Sequence, residues 1–194
     1  MAEAYPPVEP VILHAMSWAK ELGVPSVRPG TGAALRLLAG AARARGIVEI
    51  GTGTGVSGLW LLRGMREDGV LTSIDIEPEH QAMAKQSFAA AGFAAGRARL
   101  IAGTARQVLP RLADDSYDLV FVDGDIADYP HSVREAHRLL RQGGVLVVNN
   151  ALGVDLSPDE AAVVRELVAY VREAPEWAPV LINTGTGLLC ANRL

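Results

Sequence analysis

The chain's 194 residues suffice for one domain with a substantial core, and 49% hydrophobic with 21% charged residues is ordinary globular composition. A net charge of −4 gives no basic footprint for nucleic acid or an anionic membrane, and the lone Cys190 excludes an internal disulfide and a multi-cysteine zinc site. No apolar run approaches the roughly 20 residues that span a bilayer, and Met1 to Pro10 holds no basic stretch followed by an apolar one. A cytoplasmic protein with no membrane or nucleic-acid partner is expected.

Residues Met1 to Pro10, with Pro6, Pro7 and Pro10, read as an extended arm. Ile12, Ala15, Met16 and Ala19 fall at helical spacing, predicting a helix over Val11–Leu22 that Gly23 and Pro25 end. A second helix, about Gly32–Arg45, follows the Pro29-Gly30 turn. Ile47–Ile50 is a short strand, Ser57–Glu67 a helix, Val70–Ile76 a strand, and Pro78 opens a helix to about Ala91. The alternation continues with strand Arg97–Ala102, helix Ala105–Leu112, strand Tyr117–Val122, helix Ser132–Arg141 capped by Gly143-Gly144, and strand Val145–Asn149. Unbroken apolar strands between helices predict an α/β fold whose parallel sheet is covered on both faces. Pro158 opens a helix to about Glu173, and Val180–Asn183 and Leu188–Ala191 flank Thr184-Gly185-Thr186-Gly187 as an antiparallel hairpin. Residues 1–194 form a single domain in this reading, with 1–30 as an arm and helix that cover a cofactor or contact a second copy.

The strand over Ile47–Ile50 stops on Gly51-Thr52-Gly53-Thr54-Gly55 before a helix begins. Glycine there lets the backbone turn sharply and a ligand approach without a Cβ in the way, while the helix start offers free N–H groups. Asp75 ends the next strand, where ribose hydroxyls are held in open α/β sheets, and serves NAD and S-adenosylmethionine alike. Glu49 discriminates: an acid just before the turn repels a pyrophosphate but suits a ligand with a cationic sulfonium and an ammonium group. The terminal hairpin and the lack of a Tyr-x-x-x-Lys pair also weigh against a nicotinamide-dependent oxidoreductase, which stays as the alternative.

With Glu49–Gly55, Asp75, Phe121-Val122-Asp123-Gly124-Asp125 and Gly143–Asn150 in order, the chain resembles the cation-dependent O-methyltransferases of the catechol and caffeoyl-CoA type, from about Val27 to Ala191. The resemblance implies a Rossmann-like methyltransferase fold, a mostly parallel seven-stranded sheet with an antiparallel C-terminal hairpin, and a homodimer. It implies that Glu49, Gly51, Thr52 and Ser57 hold the methionine end of S-adenosylmethionine, with the Val27 backbone beside it. Asp75 would bind the ribose, Ile76, Gly103, Thr104 and Ala105 would lie beside the adenine, and Asp125 would face the cofactor. Asp123 would face metal, substrate and cofactor and carry the catalytic role. The acceptor would be a small hydroxylated, aromatic molecule.

Two positions depart from that pattern. Relatives bind a divalent ion with the first acid of the pair plus an Asp-Asn dipeptide; here Asp123 is joined by Asn149-Asn150, so a site for Mg²⁺ or Ca²⁺ has lost one negative charge and affinity. The lysine that helps deprotonate the acceptor is replaced by Ile126, while the family's tyrosine is kept as Tyr129. Three expectations follow: a weakened metal site, an acceptor acidic enough to need no metal, or a protein that binds the cofactor without turnover. His131, next to Tyr129-Pro130, is the histidine placed nearest the expected mouth of the site, whereas His80 and His137 read as packing or solvent-facing.

Overall fold

The structure, a computed structural model, describes residues 2–194. Its strands are β1 (Gly46–Ile50), β2 (Val70–Asp75), β3 (Ala98–Ala102), β4 (Tyr117–Val122), β5 (Leu140–Val148), β6 (Trp177–Ile182) and β7 (Leu188–Arg193). The helices are α1 (Pro10–Leu22), α2 (Pro29–Ala41), α3 (Val56–Gly64), α4 (Pro78–Ala90), α5 (Ala105–Val108), α6 (Tyr129–Leu139) and α7 (Pro158–Glu173). They build one seven-stranded sheet in the order β3-β2-β1-β4-β5-β7-β6. All pairings among β1 to β5 are parallel; β7 runs antiparallel to both β5 and β6. No helix among the described residues is long and apolar enough to cross a membrane.

Period-2 alternation splits the core between the two faces. Val48, Ile50, Val120, Val122, Leu146 and Val148 pack with residues of α6 and α7. Ile47, Leu119, Phe121, Val147 and Cys190 pack on the other face with α1 to α4. Leu119 and Phe121 are wholly buried, each contributing about 1.5–3 kcal/mol from removing apolar surface from water. Cys190 is one of these small core residues, and burial pushes its thiol up to about 11.

Several boundaries differ from the sequence expectation for local reasons. Proline at the first turn starts α2 at Pro29 and α6 by Tyr129-Pro130, earlier than expected. The α6 helix stops at Leu139, and Gly143-Gly144 lie inside β5, beside a register shift against β4, rather than capping a helix. The N-terminal arm is not extended throughout: Ala2–Ala4 form a 3-10 turn, held because the Glu3 carboxylate accepts hydrogen bonds from Gly30 and Gly185.

The strand order reverses between β1 and β4, and at such a switch point the loops leave in opposite directions and open a crevice at the carboxyl ends of the strands. Backbone bonds draw these ends together: Gly51 N–H donates to Ile74 at 2.8 Å, Asp123 N–H to Ile50 at 2.8 Å, Gly103 N–H to Asp75 at 2.9 Å and Asn149 N–H to Val122 at 3.0 Å.

Candidate active site

At this crevice lies a cavity of about 670 Å³, within the range of small-molecule and cofactor sites. The turn Gly51–Thr54 forms its floor. At φ +98°, a Cβ added to Gly51 would stand 2.5 Å from the Asp123 carbonyl oxygen, so glycine is what lets β1 and β4 close on each other here.

Asp75 pins the turn. Its Oδ2 accepts from the backbone N–H groups of Thr52 and Gly53, both at 2.9 Å, and its Oδ1 accepts from Glu77 N–H at 2.9 Å. His80 Nδ1 lies 3.4 Å from Oδ1 and also lines the cavity, a residue whose place on a helix with little amphipathic pattern gave no sign of it. Val27, Gly51, Thr52, Ser57, Asp75, Ile76, Gly103, Thr104, Ala105, Asp123 and Asp125 all line the cavity. Asp125 also accepts from Ala127 N–H at 3.0 Å, which starts the 3-10 turn that buries Ile126.

Glu49 does not line it. Sharing the face of Ile47, it lies wholly buried beneath the turn, where Oε2 accepts from the Ser73 hydroxyl at 2.5 Å and Oε1 finds no partner. Burial pushes its carboxyl from the ordinary 4.5 to about 7, with the nearby Ser57 and Ser73 hydroxyls opposing the rise and the charges of Asp123 and Asp75 adding to it. A carboxyl whose folded pKa is raised favours folding while protonated, so this contribution is complete below about 4.5 and is lost as pH rises through about 7. Glu49→Gln removes the titration. The melting temperature of the variant relative to wild type should climb between about pH 5 and 8, by the equivalent of up to about 3 kcal/mol. A difference that is flat or falls over that window contradicts this account.

Asp123, Asn149 and Asn150 come together on the wall of a second cavity of about 210 Å³, which shares Pro25, Ser26, Val27, Asp123, Asn150 and Thr186 with the first. They meet as a hydrogen-bonded trio. Asn149 Nδ2 donates to Asp123 Oδ1 at 2.8 Å, and Asn150 Nδ2 donates to the same oxygen at 3.5 Å and to the Tyr129 hydroxyl at 3.2 Å. The amide oxygens face Thr186 instead, whose hydroxyl donates to Asn150 Oδ1 at 2.7 Å and to Asn149 Oδ1 at 3.4 Å. Burial pushes Asp123 up to about 7 against the pull of the Asn149 amide. Burial, with the Asp123 charge adding, pushes the Tyr129 phenol above its ordinary range. Asn150 sits at φ +59°, a left-handed conformation that asparagine tolerates better than most residues.

As oriented here, the set offers one carboxylate and two amides whose N–H groups, not oxygens, face Asp123, and no group of three His, Cys, Asp or Glu is placed to hold a metal among the described residues. Neither His131 nor Trp18 lines either of these cavities: His131 Nε2 is buried without a partner, and Trp18 packs at a tilt against His14 with ring centres 4.5 Å apart. Thr186, which the sequence offered only as a hairpin-loop residue, is a fourth member that holds the amide oxygens of the trio.

Comparison with known proteins is consistent with this geometry. The O-methyltransferase family profile matches residues 13–194. A Mycolicibacterium vanbaalenii protein that carries the O-methyltransferase name is 53% identical over 189 residues, covering 94% of this chain and 84% of its own. Among solved structures, a Corynebacterium glutamicum protein superposes with a TM-score of 0.90 at 31% identity, covering 99% of this chain and 93% of its own. An O-methyltransferase from Streptomyces achromogenes involved in tomaymycin synthesis, solved with S-adenosylmethionine, superposes with a TM-score of 0.86 at 29% identity, covering 99% and 93%.

Proposed function

The chain belongs to the O-methyltransferase family, and on that footing we propose that it methylates the hydroxyl of a small phenolic acceptor from S-adenosylmethionine without a divalent cation. The observation that carries the donor is the lining of the larger cavity. Asp75, Glu77, Asp123, Asp125, Asp128, Asp155 and Glu160 contribute to it, and no lysine or arginine among the described residues does. Such a wall favours a ligand with a sulfonium and an ammonium group and opposes the diphosphate of a nicotinamide dinucleotide. Gly51, Thr52, Val27 and Ser57 would hold the methionine end, Asp75 the ribose, and Ile76, Gly103, Thr104 and Ala105 the adenine side. Glu49, beneath the turn, accepts from the Ser73 hydroxyl and supports the turn from below. When bound, S-adenosylmethionine supplies an electrophilic methyl group.

The protein's share of the chemistry is alignment and proton removal. Asp123 lines both cavities, so a hydroxyl held in the smaller one faces the donor across this carboxylate. Oδ1 is taken by the two amides, which leaves Oδ2 free of that pairing to accept the hydroxyl proton. A phenol, with a pKa of about 10, yields its proton to such a base far more readily than an alcohol, which is much less acidic. Ile126 and the buried Tyr129 shape the site but cannot take that proton. Exposed Leu13, Leu22 and Leu37 offer apolar surface for a homodimer.

The cation-free reading is tested by chelation together with one substitution. Methyl transfer to a panel of catechols should be unchanged by EDTA, and millimolar Mg²⁺ should leave the melting temperature where it was. Asn149→Asp puts a second carboxylate beside Asp123, so Mg²⁺ should raise the melting temperature of that variant alone. Loss of wild-type turnover on chelation, restored by Mg²⁺, would overturn the cation-free reading.

A further inference from the structure

Glu3 is 181 residues from Thr184 in sequence and within hydrogen-bond distance of it in space. Its Oε2 accepts from Gly30 N–H at 2.7 Å, at the first turn of α2. Its Oε1 accepts from Gly185 N–H at 2.7 Å and from the Thr184 hydroxyl at 3.0 Å, in the loop between β6 and β7. Both backbone donors belong to glycines where a side chain has no room. A Cβ on Gly30 would lie 2.6 Å from Glu3 Oε1 and 2.6 Å from Thr184 Oγ1, and one on Gly185 would collide with the Thr31 hydroxyl. The two segments joined by this carboxylate both line the smaller cavity, Arg28 and Thr31 at the start of α2 and Gly185 and Thr186 in the loop, where Gly185 packs against Thr31. The residue after Gly185 is Thr186, whose hydroxyl holds the oxygens of Asn149 and Asn150 and so turns their N–H groups to Asp123.

We propose that Glu3 is a positioning residue of the acceptor site: by tying the start of α2 to the β6–β7 loop it sets the width of the smaller cavity and, through Thr186, the orientation of the amides that hold Asp123. The assignment of that cavity to the acceptor rests on the function proposed above; the tie itself does not. A single carboxylate that accepts three hydrogen bonds from two distant segments is suited to this task, because charge-assisted bonds are short and directional. The tie does not touch the glycine turn or Asp75, and it reaches the larger cavity only through Thr186, Asn150 and Asp123 at its edge, so donor binding should change far less than acceptor binding.

The test compares wild type with Glu3→Gln and Glu3→Ala in the full chain, with Thr184→Val as a milder variant that removes one bond. Hydrogen exchange reads the Gly30 and Gly185 amides, NMR reads the side-chain NH₂ signals of Asn149 and Asn150, and calorimetry with adenosylhomocysteine reads the donor site. In Glu3→Ala, Gly30 and Gly185 should exchange about tenfold faster or more, as expected when a bond of some 1.4 kcal/mol is lost. The Asn149 and Asn150 signals should shift, and adenosylhomocysteine affinity should stay within about twofold of wild type. With a phenolic acceptor that the wild type turns over, the acceptor KM should rise while the donor KM holds, and Glu3→Gln should lie in between. If Gly185 exchange rises but the Asn149 and Asn150 signals stay put, Glu3 is a structural fastening only and the proposal is wrong. If Gly185 exchange is unchanged, the tie does not exist. Should wild type fail to bind adenosylhomocysteine, the proposed function fails, while the exchange and NMR arms still decide the tie.

Discussion

Replacing Asp75 with alanine should cost both stability and donor affinity. The carboxylate satisfies Thr52, Gly53 and Glu77 N–H groups at 2.9 Å each, so its removal releases three backbone donors and the anchor of the turn. Hydrogen bonds to a charged group contribute about 1.5–3 kcal/mol each, and these three are coupled through one side chain, so a total near 2–4 kcal/mol is expected. For a chain of this length that lowers the melting temperature by roughly 5–15 °C. Adenosylhomocysteine affinity should fall about 10- to 100-fold or more, from lost ribose contacts and from a loosened turn. Asp75→Asn keeps one oxygen to accept from the turn and should recover part of the stability and less of the affinity. Unchanged affinity in Asp75→Ala would remove Asp75 from the donor site.

Asp123→Asn should act on the other parameter. The side chain keeps its size but loses the capacity to take a proton, and loss of a positioned base typically lowers turnover by about 10²–10⁴-fold. Adenosylhomocysteine binding should persist, because the turn, Asp75 and the adenine-side residues are untouched. With a catechol that wild type methylates, a variant keeping more than about a third of wild-type kcat would show that the proton leaves by another route. An equal loss of donor affinity and turnover would mean that Asp123 serves binding rather than proton removal.

What the sequence made legible follows from how local each feature is. The parallel strands were visible because their apolar runs are continuous, and the turn because Gly51, Gly53 and Gly55 cluster where a strand gives way to a helix. The antiparallel end was visible from two short apolar runs around Thr184–Gly187. Helix ends were less legible, since Pro29 and Pro130 read equally as turn residues and as first-turn helix residues. Strand parity places Glu49 beneath the turn, because it shares a face with Ile47, under α3, and not with Ile50, which lines the cavity. The trio of Asp123 and two amides could be listed from sequence but not oriented, because the amides are held by Thr186 and Tyr129 from separate segments. Glu3 had no sequence signal, since its partners lie across the whole length of the chain.

The central claim, that the carboxylate-lined cavity over the glycine turn is built for S-adenosylmethionine, is tested most directly by thermal unfolding with ligand. At a hundredfold excess over its Kd, adenosylhomocysteine should stabilise the protein by about 2.7 kcal/mol, a rise of roughly 5–10 °C for a chain of this size. NAD under the same conditions should leave the transition in place. A transition that NAD raises and adenosylhomocysteine does not would contradict the account.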